Sequence, residues 1–207
     1  MDYVKTINSR EELASKKNEF AGILSRAFYN DPFYVWIMPN DKKRLNHIHW
    51  WMTILLRYTF LYGNIDYSGD HKGVAMWIGP DNPFPKDIKI FSMGMILYPF
   101  KIGIRNFLRA LDLSGQWSRG HKKMPARHYY LVVMGVEPEF QGKGIGSHLM
   151  QYALKKIDNE KLECYLETVT PEDVKFYEKH NFKVFFNKGF GIDNHYWLMK
   201  RKSRIDI

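Results

Sequence analysis

The 207-residue sequence predicts one α/β domain, spanning 1–207, with a mixed β-sheet and helices on both of its faces. Three observations carry that expectation. Candidate strands and helices alternate along the chain, the order that a sheet layered with helices produces. The run from Tyr129 to Val136 is apolar at successive positions rather than alternate ones, as a strand buried on both faces is. The segment Gln141-Gly142-Lys143-Gly144-Ile145-Gly146 stands between that run and a helix-periodic stretch from Ile145 to Ile157, so strand, glycine turn and helix follow in order.

The elements read as follows. Tyr3 to Ile7 is a short strand. Ser9-x-x-Glu12 is a capping-box signature opening a helix to about Tyr29, which Asp31-Pro32 breaks. A second helix over about 42–62 is rich in aromatics, among them Trp50, Trp51, Tyr58 and Phe60. Strands at 65–68 and 73–78 are joined through Gly69-Asp70, and Pro80, Pro83 and Pro85 punctuate the exit. Residues 86 to about 118 form a helical insertion ahead of the strand at 128–136. A helix to Asn159, a strand at 162–168, a helix from Pro171 to His180 and strands near 183–187 and 195–200 complete the order. The last helix starts well: Thr170 as N-cap, Pro171 at N1, Glu172 and Asp173 in the first turn. Asn181 follows it, and asparagine tolerates the left-handed conformation that ends helices.

Composition narrows the function classes. The formal charge of +9 suggests a polyanionic partner, but the cations are scattered over 16–17, 42–44, 119–123 and 200–204, with no nucleic-acid-binding motif beside them. No nucleic-acid partner is expected, and no metal. The single Cys164 forms no internal disulfide and reads as a buried thiol in a reducing compartment. No secretory h-region opens the chain, so a cytoplasmic location is expected. The apolar stretch 88–98 is too short to span a bilayer. Ile102, Phe107, Leu108 and Leu111 beside Arg105 and Arg109 allow an interfacial helix, although a helical pair packed over the core is the favoured reading. A homodimer is left open.

The glycine turn points to chemistry. A turn of this kind aims backbone N–H groups and the positive end of a helix dipole at one point, where a phosphate can sit, and Lys143 adds charge. It is neither G-x-G-x-x-G nor a loop ending in Gly-Lys-Ser/Thr. Val136-Glu137-Pro138 followed by Gln141-x-x-Gly144-x-Gly146 resembles the acetyl-CoA-binding signature of the GCN5-related N-acetyltransferase (GNAT) family, Q/R-x-x-G-x-G/A. Leu166-Glu167-Thr168, Val174-Lys175-Phe176-Tyr177-Glu178 and Asn181-Phe182 resemble its later motif. The resemblance covers roughly 129–200.

That resemblance implies a GNAT-like sheet whose central strands splay apart, leaving a cleft for the pantetheine arm. It implies acetyl-CoA as cosubstrate and transfer of its acetyl group to a primary amine, by direct attack in a ternary complex. Pro138 cannot donate a ladder bond, so pairing should fail around 136–138. By transfer, backbone at Val136 binds the pantetheine amides and the N–H of Met134 faces the thioester carbonyl. Gln141, Gly142, Lys143, Gly144, Ile145, Gly146 and Ser147 hold the pyrophosphate, and Tyr177 protonates the departing thiolate. Asp173 stands where the family commonly has an asparagine cofactor contact. For the base that takes the amine's proton, Glu167 ranks first, His128 second and Asp31 third. Phe28, Phe33, Tyr34, Trp36 and Trp50 offer walls for an acceptor. The rival readings are a non-catalytic CoA-binding protein and, behind it, a basic nucleic-acid binder.

Overall fold

The computed structural model describes residues 3–82 and 92–203. In chain order its elements are β1 (Val4–Thr6), α1 (Arg10–Ala27), α2 (Pro32–Ile37), α3 (Asp41–Tyr62), β2 (Gly63–Ser68), β3 (Gly73–Ile78), α4 (Tyr98–Ile102), α5 (Ile104–His121), β4 (His128–Val136), α6 (Ile145–Asn159), β5 (Glu163–Thr168), α7 (Pro171–Lys179), β6 (Lys183–Phe190) and β7 (Asn194–Arg201). One seven-stranded sheet runs β1-β2-β3-β4-β5-β7-β6. Its neighbours are antiparallel except β4 and β5, which are parallel.

Apolar periodicity decides which face each helix covers. Phe20, Leu24, Met52 and Leu56 of α1 and α3 pack with Ile65, Met76 and Ile78 on one face of the sheet. Leu149, Met150 and Ile157 of α6 pack with Trp77, Leu131, Cys164 and Leu166 on the other. A third cluster joins Leu113 of α5 to Tyr165, Tyr196 and Leu198, with Trp117 against it. Cys164 is fully buried, and burial pushes its thiol up to about 12. It is an inert core group.

Local chemistry moved several boundaries. Ser9 caps α1 by accepting from the Glu12 N–H at 3.1 Å, but the Glu12 carboxylate reaches the N–H of Asn8, not of Ser9. Asp31-Pro32 does more than break a helix: Asp31 caps the short α2, with Pro32 in its first turn. The insertion's helix α5 continues to His121, and the insertion's first residues, 86–91, lie outside the described residues. The final hairpin is longer at each strand than expected, because β6 and β7 support one another from Lys183 to Phe190. Thr170 caps α7 through the Asp173 N–H, and Asn181 adopts φ 65°.

Candidate active site

The site begins with an irregularity in β4. Opposite β3, Met76 pairs with Val133 and Trp77 with Leu131, so Val132 is an extra residue. Such a bulge bends the strand and raises its twist. The parallel pairing of β4 with β5 stops there, at Leu131 opposite Leu166. β3 stays paired to β4 as far as Val136, and β5 stays paired to β7 as far as Thr168. The two central strands therefore part beyond Leu131. The sequence placed the failure of pairing at 136–138, but the Val132 bulge opens it earlier, just past Leu131, and only on the β5 side.

The alternation of strand backbone identifies what faces the gap. The Glu137 N–H bonds to the Lys72 carbonyl at 2.8 Å, on the β3 side. Counting back by twos, Gly135 also faces β3, so the peptide groups of Met134 and Val136 face the gap. The Val136 carbonyl already accepts from the Gln141 side chain at 3.0 Å, which leaves its N–H as the group on offer. Arg26 clamps Glu137 through two bonds of 2.6 and 2.7 Å and fixes this end of β4 to α1.

The glycine turn closes the same end. Gly142 and Gly144 adopt φ 74° and 86°, conformations that side chains disfavour. Gly144 is the N-cap of α6 and supplies no side chain, so the first N–H groups of that helix have no capping acceptor. An added Cβ would meet nothing within 4 Å at Gly142 and only the His148 ring at 3.8 Å at Gly144. Exposed glycine backbone with open space above it, ahead of an uncapped helix, is a cradle that fits a pyrophosphate. Ile145 is buried against Leu149 and Gly73, while Gly146 touches Phe176 and Val136. Ser147 is partly exposed one position further on. Lys143 and Lys72 each place an ammonium over the Phe140 ring, at 4.7 and 4.9 Å.

Tyr177 lies on the α6 face of the sheet, between Phe176 and Phe182. Burial, and then the charge of Asp173, pushes its phenol well above the ordinary value. The hydroxyl has no hydrogen-bond partner among the described residues, so its proton is free for a ligand. Asp173 does not point freely at a cofactor: its carboxylate accepts from Thr168 Oγ1 at 3.0 Å, and its N–H caps onto Thr170.

Glu167 lies on the opposite face. It is two residues after Tyr165, and Tyr165 pairs across the sheet with Tyr130. The hydroxyls of both favour its charged form, and Tyr165 donates to the Trp117 carbonyl at 3.4 Å. Burial nevertheless dominates and raises Glu167 to about 7, the two phenols and its own backbone opposing the rise. Sequence reasoning missed Tyr130 and Tyr165, although period-2 alternation from Glu167 and the pairing of β4 with β5 point to both. Asp31 is raised to about 7 by burial first, with nearby Asp173 adding to it and the N–H bonds from Phe33 and Tyr34 opposing it.

His128 is not at the cleft. It is fully buried at the start of β4, its Nδ1 donating to the Pro125 carbonyl at 2.7 Å and its Nε2 facing His121 Nε2 at 2.7 Å. A carbonyl only accepts, so Nδ1 carries the proton, and the His121 Nε2–H donates to His128. Burial lowers the pKa of both rings. The expectation of a base at His128 is therefore corrected: it is a structural group. The expected acceptor aromatics also divide. Phe28, Phe33 and Tyr34 form one chain of ring contacts that reaches Trp117 of α5. Trp36 packs on Phe190, whereas Trp50 stacks on Tyr98 beneath α4.

Comparison with known proteins finds acetyltransferases similar to this chain. An acetyltransferase (GNAT) domain model matches residues 111–184, the stretch holding the bulge, the glycine turn, Glu167 and Tyr177. That stretch is similar to GNAT acetyltransferases. An uncharacterised N-acetyltransferase of Schizosaccharomyces pombe is 26% identical over 197 residues, covering 90% of this chain and 75% of that protein. Solved structures share the fold. A histone acetyltransferase HPA2-related protein of Corynebacterium glutamicum superposes with TM-score 0.65 at 17% identity, covering 97% of each chain. The C-terminal condensation domain of Ebony, solved in complex with beta-alanyl-dopamine, gives 0.60 at 14% identity, covering 98% of this chain and all of that one. Among the described residues, no group of three His, Cys, Asp or Glu could hold a metal ion, and no helix is long and apolar enough to cross a membrane.

Proposed function

We propose that the chain, as a single domain, transfers the acetyl group of acetyl-CoA to a primary amine by direct attack in a ternary complex. The observation that supports this best is the Val132 bulge, which parts β4 from β5 and turns the peptides of Met134 and Val136 into the gap beside the glycine turn. The residues fit the cosubstrate. Backbone from Gly142 to Ser147, with Lys143, receives the pyrophosphate; the Val136 N–H receives a pantetheine amide. The Met134 N–H is preorganised for negative charge developing on the thioester oxygen. Gln141 acts indirectly, tying the loop to Val136, and Asp173 shapes the start of α7 instead of touching the cofactor.

When bound, acetyl-CoA supplies an activated acyl carbon. As the new C–N bond forms and the C–S bond breaks, Glu167 takes the proton that the amine nitrogen loses. Its elevated pKa makes it a base poised near neutrality. Tyr177 steadies the departing sulfur. Because burial raises its pKa further above that of a thiol, about 8.5, Tyr177 serves better as a hydrogen-bond donor to the thiolate than as a full proton source. The acceptor enters past Phe28, Phe33, Tyr34 and Trp117, and their rings suit an aromatic or alkyl amine. The test is thiol release from acetyl-CoA over a panel of arylalkylamines, polyamines, amino acids and peptides, with product mass read for one added acetyl group. Release that no amine accelerates would reject the amine assignment.

A further inference from the structure

The helical insertion has two unlike faces. Its inner face is spent on the fold: Ala110, Leu113 and His121 are buried, and Trp117 contacts Phe33. Its outer face carries a ridge of large apolar side chains left in solvent. Phe100 is 86% exposed, Ile96 64%, Ile104 63% and Leu108 57%, with Leu97 and Leu111 beside them. On α5, Ile104, Leu108 and Leu111 follow at three- to four-residue spacing and share one face, and Ile96, Leu97 and Phe100 precede them across the break at Gly103, where φ is 85°. Exposure on this scale marks an interaction surface.

Beside the stripe is a cavity of about 260 Å³, formed where the first turns of α3 meet the α4–α5 junction. Lys43, His47 and Lys101 line it with Asn40 and Asn106, and none of the three basic residues has an acidic partner among the described residues. His47 feels both lysines, so unneutralised positive charge converges there. From Ser92 to Leu111 the sequence holds no Asp or Glu, but it holds Lys101, Arg105 and Arg109. Charge of one sign argues against a second copy of the chain as the occupant, since pairing two such faces would oppose like charges. The apolar ridge argues against nucleic acid.

We propose that this face docks the protein on an anionic membrane surface, the ridge entering the headgroup layer while Lys43, His47 and Lys101 receive a lipid phosphate. The combination of an apolar helix face with flanking cations is the one that interfacial helices use.

Co-sedimentation of the full chain with vesicles tests this, using phosphatidylcholine alone or mixed with phosphatidylserine. Binding to the mixed vesicles only is expected. Phe100→Ser with Ile104→Ser keeps every charge and should weaken it by about tenfold or more. Lys43→Ala with Lys101→Ala should weaken it more than Lys179→Ala with Lys183→Ala, which removes two charges elsewhere. Each variant is first checked for an unchanged melting temperature. Failure to bind mixed vesicles, or a ridge variant binding like the parent, overturns the proposal. So does inorganic phosphate raising the melting temperature through Lys43 and Lys101 in a protein that ignores vesicles, which would make the cavity a site for soluble phosphate. Light scattering showing a dimer that Phe100→Ser dissolves would assign the ridge to a second copy instead.

Discussion

Asp31 and Glu167 are two acidic groups that burial drives to the same place, about pH 7, for different ends. Asp31 lies at a loop-to-helix junction, and its Oδ1 accepts backbone N–H bonds from Phe33 at 3.0 Å and Tyr34 at 3.3 Å. Those bonds start α2, so the carboxylate is part of the fold. Glu167 lies near the end of β5, where β4 has departed, and the hydroxyls of Tyr130 and Tyr165 are the groups that favour its charged form. Neither phenol caps a helix, although Tyr165 also donates to the Trp117 carbonyl at 3.4 Å. A shifted pKa therefore does not by itself mark a catalyst; what the partners accomplish does.

The comparison breaks most directly at Glu167→Gln. Loss of a general base should reduce kcat by about 10² to 10⁴, while CoA affinity, read by calorimetry, stays near that of the parent. The pH profile of kcat/KM should lose the limb that rises through about 7 in the parent. Stability carries the opposite sign. A carboxyl group whose folded pKa is raised binds its proton more tightly when folded, so stability falls as pH rises from the unfolded value of about 4. The neutral amide removes that loss, and the variant should melt higher than the parent at pH 8. A pH limb that survives Glu167→Gln and vanishes in Asp31→Asn would reverse the two roles.

Tyr177→Phe comes next in size. A hydrogen bond to a developing thiolate contributes about 1.5–3 kcal/mol, so turnover should fall by roughly 10- to 150-fold, with little change in melting temperature because the ring and its packing remain. Turnover within about threefold of the parent, with chemistry shown to be rate-limiting, would leave Tyr177 as a core aromatic. Tyr165→Phe should act on the chemistry through Glu167, while also giving up the 3.4 Å bond to the Trp117 carbonyl. Removing a donor that favours the charged form raises the carboxyl pKa, so the limb should move to higher pH while the plateau rate is kept.

How far the sequence could be read follows from where the information sits. The glycine turn, Thr170 and Asn181 were legible because turns and caps depend on residue type at one position. Cys164 was legible as core because its neighbours are apolar. The bulge at Val132 was not, since nothing in a run of apolar residues marks which one lacks a partner; register across β3 decides it. His128 misled because a histidine at a strand's start carries no sign of the second histidine, seven residues earlier on α5, that buries against it. The acceptor aromatics divided for a similar reason. Trp50 is on α3 and its stacking partner Tyr98 comes from the insertion, a contact that exists only after α4 has packed.

The smallest expected effect is at Asp31→Asn, and it carries the most information about the comparison. Asparagine is as good an N-cap as aspartate, so α2 should remain, and melting at pH 5 should shift little. At pH 8 the parent bears the cost of a buried charge facing Asp173, whereas the amide bears none. The variant should gain stability between pH 5 and pH 8 relative to the parent, following the same sign as Glu167→Gln. Activity should stay within about tenfold of the parent at every pH, because the helix that positions Phe33 and Tyr34 is kept. A kcat loss as deep as that of Glu167→Gln, with CoA affinity and melting unchanged, would show that this carboxylate acts on the reacting amine as well as on the fold.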